Sequence, residues 1–218
     1  MVNKVISFGC SFIRHSHDNE EPWRPTKGIH TPISIPKQHK YLHYTRPISE
    51  TCAIEELADK LSIPSYNRCI GGSGNRAIIY RLLDYIKNND VTNNLFIIGL
   101  SEMSRFDFIN PTIAKKWPKL PVEDYTKFYV EEDVKFELTT LIELTSLYLN
   151  TNNINHLFVN TMNNSFSTKD VCNTLIFPNG TEYWRDYILS YDDSYKHGHP
   201  NIDDHKKLAN IIYEQLDI

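Results

Sequence analysis

The segment Leu95-Phe96-Ile97-Ile98-Gly99-Leu100 is apolar along its whole length and then stops at Ser101-Glu102. A run that short and that apolar, bounded by polar residues, is the mark of a buried strand feeding a turn. Lys4 to Phe8 has the same form and ends at Gly9, and His156 to Asn160 is a further strand of this kind. Tyr66 to Ile70 is expected to be a strand that runs into Gly71-Gly72-Ser73-Gly74-Asn75. Helical periodicity fills the intervals. It predicts helices over 49–61, with Ala53, Ile54, Leu57 and Leu61 on one face and Ser49 or Thr51 as cap, and after Asn75, with Ile78, Ile79, Leu82, Leu83 and Ile86 as the stripe. A long helix is expected over 131–149, with Val134, Leu138, Leu141, Leu144 and Leu147 facing inward. Glu182 to Tyr191 reads as helical, and Asn201 to Leu216 as a last helix capped by Asn201 with Asp204 at the third position.

Strands alternating with helices predict a three-layer α/β/α sandwich around a mostly parallel, flavodoxin-like sheet. In such sheets ligands bind beyond the carboxyl ends of the strands, so the turns after Phe8, Ile70 and Leu100 are the places to look for chemistry. At 218 residues the chain suits one domain, 1–218, with two long insertions at about 13–49 and 101–130. The first insertion holds five prolines (Pro22, Pro25, Pro32, Pro36, Pro47) and five histidines; a stretch of this length without periodicity usually serves or covers a site. Both insertions are rich in aromatics, among them Trp23, Tyr41, Tyr44, Trp117, Tyr125 and Tyr129.

A net charge of −4 and the lack of a long basic run exclude any general pull toward nucleic acid or an anionic membrane. The start lacks the apolar core of a signal peptide, and the four cysteines (Cys10, Cys52, Cys69, Cys172) show no CxxC pair and no disulfide-like spacing. A reducing, cytoplasmic setting is expected, or a virion-associated one for a phage-encoded chain, with association into a homo-oligomer or larger assembly left open.

Four blocks, in order, carry a resemblance: Phe8-Gly9-Cys10-Ser11-Phe12; Asn67-Arg68-Cys69-Ile70-Gly71-Gly72-Ser73-Gly74-Asn75; Gly99-Leu100-Ser101-Glu102; and His197-Gly198-His199-Pro200-Asn201. Together they resemble the sequence blocks of the SGNH, or GDSL-like, hydrolases, and their wording is similar to divergent members from bacteriophage and bacteria. The resemblance implies a serine esterase that needs no cofactor and forms an acyl-serine intermediate. A small-molecule or carbohydrate ester, such as an O-acetylated sugar, is then the expected substrate. It makes Ser11 the nucleophile and His199 the base, since a serine hydroxyl near neutral pH needs a neighbour to take its proton. Backbone N–H groups of Ser11 and Gly72 are the implied oxyanion donors.

The chain departs from the pattern at two points. Ser101 stands where the family has its oxyanion-hole asparagine, so the third donor is either the Ser101 hydroxyl or Asn75 of the neighbouring loop, whose spacing also fits a plain helix cap. Lys196 stands where the family has an aspartate three residues before the histidine, and His197 occupies the position two before. The orienting acid is then Asp193 or Asp192, or a backbone carbonyl holds the ring and leaves a Ser–His dyad. Two other readings stay open. His15-Ser16-His17 and His197-Gly198-His199 could together bind zinc in a metal-dependent hydrolase, and the replaced residues could mark a binding or structural protein on an SGNH scaffold. Glu102 and His205 are expected to be structural.

Overall fold

A computed structural model describes residues 2–10, 52–69, 73–102, 131–162, 167–192 and 200–216 of the chain. Its strands are β1 (Lys4–Phe8), β2 (Ser65–Asn67), β3 (Asn94–Leu100) and β4 (Asn155–Asn160). Its helices are α1 (Ala53–Leu61), α2 (Asn75–Asn88), α3 (Glu131–Thr151), α4 (Trp184–Leu189) and α5 (Ile202–Gln215). The described strands form one parallel sheet in the order β2-β1-β3-β4.

The strands read as continuous apolar runs because both faces of the sheet are covered. Side chains alternate between the faces. Val5, Leu95, Ile97, Leu157 and Val159 pack against Ala53, Ile54 and Leu57 of α1, Trp184 and Ile188 of α4, and Leu208, Ala209 and Ile212 of α5. Ile6, Phe8, Phe96, Ile98, Leu100 and Phe158 pack against Ile78, Ile79 and Leu82 of α2 and Val134, Leu138, Ile142 and Leu149 of α3. The result is the expected three-layer α/β/α sandwich.

The crossover from β1 to β2 places α1 on one face. The chain then reverses direction across the sheet, so the crossovers through α2 and α3 lie on the other face, as one handedness of connection requires. The reversal puts the topological switch point at the carboxyl ends of β1 and β3, which is where such sheets bind ligands.

Several element ends differ from the sequence expectation. Helix α1 begins at Ala53, capped by Cys52 in a box with Glu55, whose carboxylate accepts from the Cys52 N–H at 3.2 Å; Ser49 and Thr51 lie outside the described residues. Strand β2 stops at Asn67, short of Ile70. In α3, Leu144 and Leu147 point away from the core, Leu141 is half-buried, and Ile142, Thr145 and Ser146 take inward positions. The expected stripe holds at Val134 and Leu138 and fails at Leu144 and Leu147; the burial of Val134, Leu138, Ile142 and Leu149 fixes the helix rotation. The cap of α5 is as expected: Asn201 Oδ1 accepts from the Asp204 N–H at 3.0 Å, and Asp204 accepts in return from the Asn201 N–H at 2.8 Å. The 13–49 insertion and residues 103–130 lie outside the described residues.

Candidate active site at the strand ends

In the sequence Ser11 is the third residue past the end of β1, and Ser101 follows β3 directly. Ser11, Gly72, Asp193 and His199 lie outside the described residues, as do His15, His17 and His197. What is described is the frame that holds their flanking residues.

Asn75 and Ser101 come together at the switch point. The Asn75 Nδ2 donates to the Ser101 carbonyl at 3.0 Å, and the Ser101 N–H donates to Asn75 Oδ1 at 2.7 Å. Both residues are buried. Asn75 is the first residue of α2, whose N-cap is Gly74, so its side chain does not act as the helix cap. It ties the turn before α2 to the turn after β3 with a pair of bonds that a backbone strand would otherwise supply. The Ser101 Oγ is buried and has no hydrogen-bond partner among the described residues.

Arg81, a residue that sequence reasoning did not single out, forms the second tie. From the interior of α2 its guanidinium donates to the Gly9 carbonyl at 3.4 Å and to Ser73 Oγ at 3.1 Å. It therefore links the turn after β1 to the glycine turn before α2. The only sequence signal was an arginine one and a half turns inside a helix that follows a glycine-rich loop. Thr161, just past β4, closes the far side: its N–H and its hydroxyl both donate to the Leu100 carbonyl, at 2.9 and 2.7 Å.

Beneath the turn after β1 lies a sulfur-rich polar layer. Cys10, Cys52 and Cys69 are buried free thiols. Ser7 Oγ donates to Asn67 Oδ1 at 3.2 Å, the Asn67 Nδ2 donates to the Cys52 sulfur at 3.3 Å, and the Cys69 thiol donates to Ser7 Oγ at 3.6 Å. Burial, helped by the nearby thiols, pushes the Cys69 pKa up to about 12. A thiol held protonated is a poor nucleophile, so the Cys69 sulfur serves packing rather than chemistry. Among the described residues no group of three or more His, Cys, Asp or Glu side chains could hold a metal ion.

The stretch carrying Asp193 and His199 is flanked by residues that share one carboxylate. The Tyr191 hydroxyl donates to Asp204 Oδ1 at 2.7 Å, and the N–H of Asn201 donates to Asp204 Oδ2. Burial and the Asp204 carboxylate raise the pKa of Tyr191, so this hydroxyl stays a donor. His205 is structural, as expected: it is buried, its Nδ1 accepts from the Ala53 N–H at 3.3 Å, and its ring stands edge-on to Trp184 at 5.2 Å.

No protein-family model matches the sequence, and no curated protein matches it. Solved structures do. The chain is similar to Axe2, an acetylxylan esterase from Geobacillus stearothermophilus, with a TM-score of 0.52 and 12% identity over 99% of this chain and 94% of that one. It is also similar to a member of the lipolytic protein G-D-S-L family from Veillonella parvula, with a TM-score of 0.50 and 10% identity over 99% and 98% of the two chains. The chain thus has the α/β/α fold of the SGNH, or GDSL-like, hydrolases, in a divergent sequence.

Proposed function

We propose that the chain is a serine esterase in which Ser11 attacks an ester carbonyl and His199 takes its proton. The observation that carries this reading is the frame at the switch point, where Arg81 and Asn75 lock the turn after β1, the glycine turn before α2 and the turn after β3 to one another. A site that must stabilise charge in the transition state needs fixed donors, and a locked backbone provides them.

In this mechanism Ser11 Oγ bonds to the carbonyl carbon as its proton passes to His199. The carbonyl oxygen becomes an oxyanion, held by the N–H groups of Ser11 and Gly72 and by the Ser101 hydroxyl. The C–O bond to the alcohol then breaks, and His199 returns the proton to the departing oxygen. Water, deprotonated by His199, attacks the acyl carbon; the bond to Ser11 Oγ breaks, His199 returns the proton to that oxygen, and the acid leaves. Asp193 orients the imidazole. Asn75, with its oxygen and one N–H engaged by Ser101, serves by holding that residue in place. An O-acetyl group on a carbohydrate is the substrate class, in keeping with the acetylxylan activity named for Axe2.

Hydrolysis of 4-nitrophenyl acetate tests the reading. Wild-type turnover should be insensitive to chelators and fall ~10³-fold or more in Ser11→Ala and His199→Ala. A wild type that does not hydrolyse activated acetyl esters would favour the non-catalytic reading, and loss of activity with a chelator would favour the zinc one.

A further inference from the structure

A helix lying on a sheet should be apolar along one stripe and polar on the other. Helix α3 breaks this rule. Val134, Leu138, Ile142 and Leu149 fill the core, yet on the outer side Phe136 is 75% exposed, Leu147 61%, Leu144 58% and Tyr148 44%. At 3.6 residues per turn these four fall within roughly a third of the helix circumference. On the neighbouring α2, Tyr80 is 61% exposed. It shares a helix face with Arg76, which pairs with Glu137 of α3, and with Lys87. Between the two helices runs a groove of about 440 Å³ lined by Leu83, Lys87, Leu141, Leu144 and Tyr148.

Taken with their exposed fractions, the five large side chains present on the order of 600 Å² of accessible surface. That matches the largest apolar patches found on monomers, ~300–600 Å². It also approaches the ~800 Å² that each partner buries in a standard protein interface.

We infer that this face joins two copies of the chain, α3 packing antiparallel on α3 about a two-fold axis. The pattern is self-complementary. Phe136, Thr140, Leu144 and Tyr148 form a single i±4 ridge, the kind that interdigitates between helices. A two-fold axis at the level of Ile142 sets Phe136 opposite Tyr148 of the partner subunit, and Thr140 opposite Leu144 of the partner subunit. Charge selects the same direction. The N-terminal part of α3 carries Glu132 and Asp133 beside Lys135, with Glu137 already paired to Arg76, whereas Lys87 lies at the C-terminal end of α2 beside the groove. Antiparallel packing brings Glu132 and Asp133 toward the Lys87 of the other copy; parallel packing would set each of these carboxylates near its own counterpart. A two-fold interface also closes on itself and stops at the dimer. The acidic rim makes an anionic membrane a poor occupant.

Sedimentation equilibrium of the full chain across micromolar to hundred-micromolar concentrations tests the inference. The wild type should sediment at twice the chain mass. Leu144→Glu should weaken the dimer ~100-fold or more, because it buries an unpaired carboxylate at the centre of the contact. Phe136→Ser, which adds no charge, should weaken it less, and both variants should keep the wild-type far-UV circular dichroism. A wild type that stays monomeric throughout overturns the inference, whether the variants then behave normally or lose stability because the chain itself covers this face. A dimer unaffected by either substitution overturns it too.

Discussion

Asn75→Ala isolates the tie between α2 and β3. Removing the amide leaves the N–H and the carbonyl of Ser101 without their partners, and Ser101 is fully buried. Each unpaired buried group costs ~1–3 kcal/mol, so the variant should lose about 2–5 kcal/mol. For a chain of this size each kcal/mol lowers Tm by ~2–4 °C, which gives an expected drop on the order of 5–15 °C. Thermal unfolding followed by far-UV circular dichroism reads this directly, and urea unfolding should show a lower midpoint at an unchanged slope. If Asn75 merely capped its helix, the loss would be ~1 kcal/mol. A Tm drop of ~2 °C or less would therefore refute the reasoning that this side chain replaces missing backbone pairing.

Ser101→Ala should behave in the opposite way: it removes a buried hydroxyl that makes no bond among the described residues, so Tm should hold or rise slightly. If that hydroxyl is an oxyanion donor, ester turnover should nonetheless fall ~10²-fold, and unchanged kinetics would remove it from the site. Arg81→Met should lower kcat ~10–100-fold with little change in KM, since it frees the Gly9 and Ser73 turns that set the geometry of the attack. Arg81→Lys should not restore the rate, because an ammonium lacks the guanidinium fork; full activity in either variant would contradict the role given to this tie. The Cys69 thiol ionises near 9.0 when the chain is unfolded and at about 12 when folded, so the unfolded state loses its proton first. This contribution to stability is present below pH 9 and lost as pH rises from 9 toward 12. Cys69→Ala should flatten that alkaline decline, as urea midpoints measured from pH 8 to 11 would show.

The fold was legible because its signals are local. Runs such as Val5–Phe8 and Leu95–Leu100 are too short for a helix and apolar enough for a doubly covered strand, and the Asn201/Asp204 capping box marks the start of α5 to the residue. The rotation of α3 was not legible, because leucines occupy both sides of it and only contact with the sheet distinguishes Ile142 from Leu144. The polar frame was equally hidden. Asn75 and Ser101 are separated by 26 residues and Arg81 and Gly9 by 72; nothing in their local spacing says that they meet. Asn75 was read as a cap or an oxyanion donor because both roles suit an asparagine after glycines. Its actual bonds are to a backbone that no sequence pattern identifies in advance. The cysteine layer around Ser7 and Asn67 was missed for the same reason, since scattered thiols converge only once β1, β2 and α1 are packed.

Fluorophosphonate labelling with peptide mapping addresses the proposed nucleophile itself. A fluorophosphonate reacts with a serine only where a base activates it and donors hold the developing charge, so it reports the assembled site independently of any natural substrate. The wild type should label once, on the peptide containing Ser11, and Ser11→Ala should not label while retaining the wild-type Tm. A wild type that does not label, or labels elsewhere, would contradict Ser11 as an activated nucleophile.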